Sequence, residues 1–433
     1  MSTEFKKIAF HTMGCKLNFS ETSMISKDFT NRGFKKVKYK EFADIYVLNT
    51  CSVTDNADKE ARKLIRQAKR KNPNAQIAVI GCYAQLMPDQ IAKIDGVNLV
   101  IGTENKFNVL TELDLLNLNS ETKIIRNKIE NVNAFTPSYS SNDRTRTYLK
   151  VQDGCDYTCS FCTIPLARGR SRSDTISNTI KIANQAIQSG AREIVLTGVN
   201  IGDYGKNNNE SFIELIKRLD TLAVERIRIS SIEPNLLTKE IIDFCAESKK
   251  FMPHFHIPLQ SGSNKILKLM RRRYTSSQYA ESISLIRQLI PDASIGVDVI
   301  VGFPGESNED FMETFNFIES LDISYLHVFT YSERKNTDAA NFKKSVDKKT
   351  RAHRSLILRR LSEKKLSDFY DQFIGTQRVV LFDNKKNNQI LGYTDNYIKV
   401  AVDSTDYKVN TVHEINLLSN EKQNVHGSLS IHA

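Results

Sequence analysis

The stretch DGCDYTCSFC, Asp153–Cys162, contains three cysteines in the spacing C-x3-C-x2-C. Thiolates are the ligands that select zinc and iron–sulfur clusters in proteins. A structural zinc ion or a fully ligated four-iron cluster takes four protein ligands, whereas this loop offers three. Three ligands on a four-iron cluster leave one iron open to a substrate or cofactor. A zinc site with a remote fourth ligand is the alternative interpretation.

The residues around this loop alternate between strand and helix patterns. TYLKVQDGC is a strand that runs into the loop, and further strand patterns follow in EIVLTGV, RIRISSI, HFHIPL, SIGVDVIVGFP and YLHVFTY. Helical patterns separate them, as is typical of parallel strands connected by helices. We therefore predict a partial (β/α)6 barrel over residues 147–369, since complete eight-fold barrels take about 250 residues.

Residues 1–122 show the same alternation and are predicted to form a separate parallel βαβ domain. KKIAFHTMGC, ADIYVLNTCSV and QIAVIGCYAQ each contain a strand pattern that ends at a cysteine, namely Cys15, Cys51 and Cys82. Because ligand sites of such sheets lie at the carboxyl ends of the strands, the three thiols are expected at one edge. Buried or loop thiols without a ligand role are the alternative.

The chain changes character again after residue 369. QRVVLFD, QILGYTDNYIKVAV, YKVNTVHEINLL and VHGSLSIHA read as short strands with turn residues between them. Residues 370–433 suit a small antiparallel β-barrel of the kind that binds oligonucleotides. The segment holds six basic and seven acidic side chains, so bulk charge cannot explain RNA binding by it. With a polar linker at 123–146, the prediction is an α/β protein of three domains.

Composition indicates a folded protein of the cytosol. Of the 433 residues, 40% are hydrophobic, which supports sizeable cores. No apolar run approaches the ~20 residues of a membrane span, and the start MSTEFKKIAF lacks a signal-peptide core. In a reducing compartment, seven cysteines indicate metal or redox chemistry before disulfides. Cys245, in an apolar helical stretch, is predicted to fill the core.

The net charge of +11 permits a polyanionic partner, and the excess is clustered. Lys59–Lys71 carries seven basic side chains and one acidic side chain, and Arg351–Lys365 is also strongly basic. Each stretch alone is compatible with a solvated helix face. Together they make an RNA-facing surface plausible.

A C-x3-C-x2-C loop after the first strand of a β/α barrel, with Phe161 before the last cysteine, resembles the radical S-adenosylmethionine (SAM) superfamily. The resemblance implies that Cys155, Cys159 and Cys162 hold a 4Fe–4S cluster whose open iron binds SAM. It also implies a set of SAM contacts at strand ends and turns: Phe161, Gly198, Ser230, Glu233, Gln260 and Asp298. Purely structural roles are the alternative for each of these residues.

Four other side chains are candidates for lining the same site. His256 and His327 end strands, and a structural role is the alternative for both. Arg168 and Arg170 follow the cysteine loop and could pair with anions of SAM or substrate. A solvated loop is the alternative for the two arginines.

MGCKLN, NTCSVTDNAD and GCYAQ, around the other three cysteines, resemble the N-terminal domain of the methylthiotransferases in that superfamily. HIPLQSGSNKILKLMRRRY and HVFTYSER match the same family, and the C-terminal segment is similar to its TRAM domain. The resemblance implies a second 4Fe–4S cluster on Cys15, Cys51 and Cys82, carrying the sulfur to be inserted. One SAM molecule would supply the radical and another the methyl group.

Three branches of that family are familiar, and the first cysteine motif helps to separate them. GCKLNFSETS, with Lys16, Asn18 and Glu21, resembles the branch that methylthiolates C2 of N6-threonylcarbamoyl-adenosine at position 37 of tRNA. The implied partners are tRNA and a low-potential electron donor of the flavodoxin or ferredoxin type. The sequence leaves the oligomeric state open, with a monomer as the expectation. The alternatives are isopentenyl-adenosine in tRNA, an aspartate of a ribosomal protein, or a non-catalytic iron–sulfur redox sensor that binds RNA.

Overall fold

The computed structural model describes residues 5–52, 54–116, 121–141, 145–403, 407–421 and 424–429. The predicted N-terminal domain and C-terminal segment include residues outside these ranges, and so do two smaller predictions. The predicted linker includes 142–144 and the last predicted strand includes 430–433, which lie outside the described residues. None of the described helices has the length and apolar character needed to cross a membrane.

The N-terminal domain is a parallel sheet with a hydrophobic core on each face. In the described part of this region the strands are β1 (Lys7–Thr12), β2 (Lys35–Val37), β3 (Ile45–Thr50), β4 (Gln76–Gly81), β5 (Leu99–Ile101) and β6 (Lys123–Ile125). They lie in the order β2-β1-β3-β4-β5-β6, with each neighbouring pair parallel. The helices are α1 (Lys16–Asn31), α2 (Asp55–Lys71), α3 (Cys82–Leu86), α4 (Pro88–Ala92) and α5 (Val109–Asp114).

The central strand β3 shows why this sheet forms. All of its residues are buried, as expected for a parallel strand covered by helices on both sides. Tyr46 and Leu48 pack with helix α2, whereas Ile45 and Val47 pack with helices α1 and α5. Lys123–Ile125, which the sequence assigned to the linker, is instead the edge strand β6. Three residues among polar neighbours gave no recognisable strand pattern.

The second domain is the predicted partial barrel. Its strands in the described residues are β7 (Ser138–Tyr139), β8 (Arg146–Lys150), β9 (Gln152–Asp153), β10 (Arg172–Ser173), β11 (Glu193–Thr197), β12 (Arg226–Ile229), β13 (His254–His256), β14 (Ser294–Val301) and β15 (Tyr325–Thr330). Strands β8, β11 and β12 are parallel neighbours, as are β13, β14 and β15. Parallel bridges at Ile227–Phe251 and Ser231–His256 join the two groups into one wall.

Helices lie between and after these strands along the chain. They are α6 (Ile164–Arg168), α7 (Ile176–Gln188), α8 (Phe212–Asp220), α9 (Lys239–Glu247), α10 (Asn264–Leu269), α11 (Ser276–Leu289), α12 (Asn308–Ser320) and α13 (Lys348–Asp371). Capping boxes begin α8, α11 and α12, where Ser211, Thr275 and Ser307 accept hydrogen bonds from the first turn. Cys245 packs in the core between helices and sheet, as the sequence predicted.

The third domain is a closed β-barrel. In the described residues it consists of β16 (Gln377–Lys386), β17 (Gln389–Thr394), β18 (Lys399–Asp403), β19 (Val412–Glu421) and β20 (Asn424–Leu429), closed in the order β16-β17-β18-β20-β19. All pairs are antiparallel except β18 with β20, which is parallel. The predicted small antiparallel barrel is confirmed, with this one parallel pair, because a closed ring of five strands cannot alternate direction throughout.

Charged side chains dock this small barrel against the second domain. Arg378 bonds to Asp292 and Asp395 at 2.8 Å each. Arg226 donates to the Val379 carbonyl at 2.7 Å and to the Tyr393 carbonyl at 3.2 Å. Several charges of the near-neutral barrel are thus used for docking between domains.

Candidate active site

The loop after β9 presents the first group of thiols. Nitrogen donors point at each of the three sulfurs: the backbone N–H of Tyr157 at Cys155 and that of Ile164 at Cys162, both at 3.4 Å. The third sulfur, of Cys159, accepts from Nη1 of Arg272 at 3.3 Å. Such donors stabilise negative charge on sulfur. The donor set therefore fits an anionic cluster.

The protonation of the thiols in this loop also fits a bound cluster. None of the seven cysteines, all of which lie in the described residues, forms a disulfide. Burial raises the pKa of Cys155 to about 12, and it also raises the pKa of Cys162 to about 12. These groups stay protonated at neutral pH unless a metal replaces the proton, which is how thiolate ligands form. The guanidinium of Arg272 also pairs with Glu233, one of the predicted SAM contacts.

The second group of thiols comes together at one sheet edge. Cys15, Cys51 and Cys82 follow β1, β3 and β4, which are adjacent parallel strands. Gly14 has φ +93°, and a Cβ there would approach Cys51 Cβ to 2.7 Å. Only glycine allows the first cysteine loop to lie this close to the second. The edge thus forms a cradle that suits a shared group, and the structure brings together the thiols that the sequence predicted at one edge.

Amide side chains hold these strand ends in place. Asn18 Nδ2 donates to the carbonyls of Met13 at 2.8 Å and Thr50 at 3.1 Å. Asn49 Nδ2 donates to the Asn18 carbonyl at 3.0 Å. Each bond crosses from one cysteine-bearing strand end to another or to helix α1. The positions of Cys15 and Cys51 are therefore fixed by tertiary contacts.

A buried charge network lies between the two thiol groups. Glu21 and Asp153 are its acidic members, and both are fully buried. Arg168 Nη1 contacts Glu21 at 3.1 Å and Asp153 at 2.9 Å. The other cationic contacts are Lys106 with Glu21 at 2.6 Å, Lys150 with Glu21 at 3.1 Å and with Asp153 at 2.8 Å, and Arg172 with Asp153 at 3.2 Å.

Four cations against two carboxylates leave a buried positive excess. It lies beside the second thiol group, since burial raises the pKa of Cys82 while Arg168 and Lys106 act to lower it. An anionic cluster at this edge would balance the charge. The sequence named Arg168 as a side chain that could pair with an anion of SAM or substrate, with a solvated loop as the alternative. The structure instead pairs it with Glu21 and Asp153, whereas Arg170 is exposed.

Two cavities adjoin the thiol groups and share Asp298 and Phe329 in their walls. The smaller one, of 230 Å³, is lined by Cys162 and by the predicted SAM contacts Phe161, Gln260 and Asp298. Gln260 has φ +67°, which is strained for a residue other than glycine. The larger one, the central cavity, has 530 Å³ and contains Gly198, Ser230 and Asp298 in its wall. Glu233 is not among the lining residues of either cavity.

The central cavity also reaches the second thiol group. Cys15 and Lys16 line it, together with His256 and His327. His256 Nε2 lies 2.8 Å from Asp298 Oδ1, and the ring centroids of the two histidines are 5.4 Å apart. One space therefore connects the first cysteine of one thiol group with predicted SAM contacts of the other. Both histidines considered in the sequence line this space. His256 ends β13 as expected, whereas His327 lies within β15 and not at its end, because the strand continues to Thr330.

The C-terminal barrel supplies part of the wall of the central cavity. Tyr397, in the turn between β17 and β18, lines it with φ +70°, a conformation that aromatic residues rarely adopt. Its ring centroid lies 4.3 Å from that of His254, and Arg146 donates to its hydroxyl at 3.0 Å. Burial alone would raise the pKa of Tyr397, but Arg146, Lys16 and Arg228 lower it. This end of the cavity is therefore cationic.

The two basic stretches differ in exposure. Along α2, Lys63 and Arg66 are exposed. In α13, by contrast, Arg351 and Arg354 are buried, and Arg354 pairs with Glu306 at 2.6 Å. The second stretch is thus only partly a solvent-facing surface. Helix α2 also begins close to Cys51 in sequence, so its basic face starts near the second thiol group.

Comparison with known proteins gives the family. The model described as "Uncharacterized protein family UPF0004" matches residues 7–102, and that of the Radical SAM superfamily matches 149–318. "Threonylcarbamoyladenosine tRNA methylthiotransferase MtaB" of Bacillus subtilis is 40% identical over 95% of this chain and 93% of its own length. The protein of the same name from Aquifex aeolicus is 39% identical over 91% and 96%. The chain belongs to the MtaB family.

Relatives of another name also match. A tRNA-2-methylthio-N(6)-dimethylallyladenosine synthase of Endomicrobium trichonymphae is 33% identical to this MtaB-family chain, over 90% of it and 91% of its own length. Among solved structures, the radical SAM methyltransferase TsrM of Kitasatospora setae aligns with a TM-score of 0.57 over 78% of this chain and 77% of its own. With 12% identity, that likeness concerns the fold alone.

Proposed function

We propose that this protein converts the C2–H of N6-threonylcarbamoyl-adenosine at position 37 of tRNA into C2–S–CH3. The observation that carries the proposal is the central cavity, which has Cys15 in one part of its wall and Gly198, Ser230 and Asp298 in another. A nucleoside there would contact Cys15 of one thiol group and would lie beside the predicted SAM contacts of the other. Membership of the MtaB family and the radical SAM domain support this reaction over the alternatives.

Both thiol groups fit 4Fe–4S clusters, one on Cys155, Cys159 and Cys162 and the other on Cys15, Cys51 and Cys82. When bound, the clusters and SAM supply abstraction of the C2 hydrogen, the sulfur atom and the methyl group, which no side chain here provides. The chain's own residues position these parts. Arg272 orients Cys159 and Glu233, and Phe161, Gln260 and Asp298 line the smaller cavity for SAM.

Other side chains hold the two thiol groups in position. The strand-end amides of Asn18 and Asn49 hold the edge that carries Cys15 and Cys51. Arg334, buried on the barrel side, bonds to Ser52 Oγ at 2.6 Å and to Asp58 Oδ2 at 2.8 Å. These contacts tie the loop after Cys51 to the second domain. The two thiol groups are thereby kept in one fixed relation, as a reaction between their ligands requires.

The proposed function also implies partners for this protein. The exposed basic face of α2 is suited to tRNA phosphates, so the near-neutral C-terminal barrel need not supply the charge. A low-potential electron donor of the flavodoxin or ferredoxin type would reduce the SAM cluster. We place the enzyme in the cytoplasm, where tRNA and reduced thiols are found, and as a monomer.

Mass spectrometry of nucleosides from tRNA of the host, with and without the gene, tests the proposal. The expected result is loss of 2-methylthio-threonylcarbamoyl-adenosine, with accumulation of the precursor that lacks the methylthio group. Persistence of the methylthiolated nucleoside at its normal level would overturn the proposal. Loss of the methylthio group from isopentenyl-adenosine instead would move the protein to that branch.

A further inference from the structure

Lys16 stands apart from the other cations around the central cavity. It follows Cys15, opens helix α1 and lines the cavity. Within the described residues, no carboxylate lies within ion-pair distance of its ammonium group. Other cations nearby do have partners: Arg228 bonds to Glu193 at 3.1 and 3.2 Å, and Arg146 bonds to Tyr397. A half-buried ammonium that faces a cavity without a counterion favours an anionic ligand.

The charged groups around Lys16 strengthen its preference for an anionic ligand. Glu193 is buried and already shared among Arg228 and Arg226, so it does not neutralise this end of the cavity. Asp298, the carboxylate among the described residues that line the cavity, bonds to His256. Burial lowers the pKa of His327, which favours the neutral imidazole, and neither of its protonation states is an anion. The cationic end is therefore open to a carboxylate brought by the substrate.

We propose that Lys16 is a specificity-determining residue whose ammonium pairs with the carboxylate of the threonylcarbamoyl group. The inference rests on the proposed function. In adenine only N1 separates C2 from C6, so a substituent on N6 begins beside the reacting carbon. Cys15 and Lys16 are consecutive and both line the cavity. The thiol group that serves C2 and the cation that serves the N6 substituent thus meet at the start of helix α1.

Tyr397 completes this subsite as a positioning residue. Its ring packs on His254 and stacks on Tyr393 at 4.8 Å, and its backbone is strained. Strain of this kind persists where the surrounding structure demands it, often at ligand sites. The C-terminal barrel therefore closes the cationic end of the cavity with an aromatic wall.

The pairing of Lys16 with a carboxylate predicts that the protein discriminates between two modified adenosines. A hydrogen bond to a charged group contributes enough that losing it changes binding by about 10- to 100-fold. Isopentenyl-adenosine has no carboxylate and would leave the ammonium unpaired. The wild-type protein should therefore favour the threonylcarbamoyl substrate over the isopentenyl one, and Lys16 should account for most of the ratio.

The test uses the full-length protein with both clusters, SAM, a chemical reductant and two tRNAs, one carrying threonylcarbamoyl-adenosine and one isopentenyl-adenosine. Lys16→Gln should lower kcat/KM for the first tRNA by about 10- to 100-fold, mainly through KM, and leave the second unchanged or improved. Lys16→Arg should restore part of the loss. Lys249→Gln, at an exposed lysine before β13, is the matched control. Equal ratios in Lys16→Gln and wild type would overturn the inference.

Because Lys16 is next to Cys15, the variant could lose the second cluster. Iron content and SAM cleavage without tRNA are therefore measured for each variant. Binding without reductant gives a second test: the ratio of Kd values for threonylcarbamoylated tRNA and the same tRNA with unmodified adenosine. Wild type should show a preference that Lys16→Gln loses, and a retained preference overturns the inference. If wild type modifies neither tRNA, the proposed function fails, whereas equal discrimination by an active variant refutes only the role of Lys16.

Discussion

The two thiol groups, each a triad of cysteines, are assembled in different ways. Cys155, Cys159 and Cys162 share one loop, and backbone N–H groups of that loop contact two of their sulfurs. Cys15, Cys51 and Cys82 come from three strands and meet because β1, β3 and β4 are neighbours. The first triad is therefore organised by local structure and the second by the fold. Perturbing the sheet should affect the second triad first.

The largest expected effect separates the tasks of the triads. Cys159→Ala should abolish reductive cleavage of SAM to 5′-deoxyadenosine, because the cluster that binds SAM loses a ligand. Cys15→Ala should keep that cleavage and abolish methylthiolation. Chromatography of the nucleoside products and iron content, about four atoms fewer per chain in each variant, report both results. Full SAM cleavage by Cys159→Ala would contradict the barrel assignment.

The next effect concerns the charge network between the triads. Glu21→Gln leaves Lys106, Lys150 and Arg168 buried with one carboxylate fewer, and should destabilise the protein by about 3–5 kcal/mol. Glu112→Gln, at a surface pair with Lys123, is the control and should cost less than about 1 kcal/mol. Denaturant unfolding of both variants measures the difference. Similar costs would show that the network contributes no more than a surface pair.

The same carboxylate gives a pH dependence. Burial alone would raise the pKa of Glu21, but Arg168, Lys106 and Lys150 together lower it below its ordinary value. Its contribution to the free energy of unfolding is therefore full above about pH 4.3 and declines as the pH falls further. The stability gap between wild type and Glu21→Gln should shrink on acidification. A gap that widens below that pH would contradict the pairing.

A smaller effect is expected at Arg272, which contacts a sulfur of the first triad. Arg272→Gln removes a cation 3.3 Å from Cys159 Sγ, so the cluster should become harder to reduce. SAM cleavage should fall about 10-fold with iron content unchanged. A redox titration followed by electron paramagnetic resonance measures the potential, and Arg218→Gln, on the exposed side of α8, is the control. An unchanged potential would refute this electrostatic role.

The smallest effect is on tRNA binding near the second triad. Exchanging Lys63 and Arg66 of α2 for glutamine should weaken tRNA binding severalfold. It should lower the slope of log K against log salt by about one for each phosphate that the variant no longer neutralises. Titrations at several salt concentrations, with Arg218→Gln plus Lys249→Gln as the charge-matched control, provide the measurement. Equal slopes in the two double variants would exclude α2 from the RNA-binding surface.

The difference between the triads also explains what the sequence could reveal. Local patterns sufficed for the cysteine loop, for the strands of the partial barrel and for the strands that end at Cys15, Cys51 and Cys82. That these three thiols meet required the parallel strand order, and their ligand role came from family resemblance. Both triads could be placed at strand ends because the buried strands that precede them are apolar runs in the sequence.

Other features depend on contacts between distant residues and left no local signal. Glu21 and Lys106 form a buried ion pair across many residues, and nothing in either neighbourhood indicates burial of the charge. Tyr397 reaches the central cavity only because the C-terminal barrel docks on the second domain. The short strand β6 was hidden by polar neighbours, and the parallel pairing of β18 with β20 followed from closure of the ring.

The central claim is that the target base lies between the two triads, within reach of both. The most direct measurement uses tRNA with deuterium at C2 of its threonylcarbamoyl-adenosine, incubated with the full-length protein, SAM and reductant. The account predicts deuterium in 5′-deoxyadenosine, in step with formation of the methylthiolated nucleoside. Methylthiolation without deuterium in 5′-deoxyadenosine would contradict it.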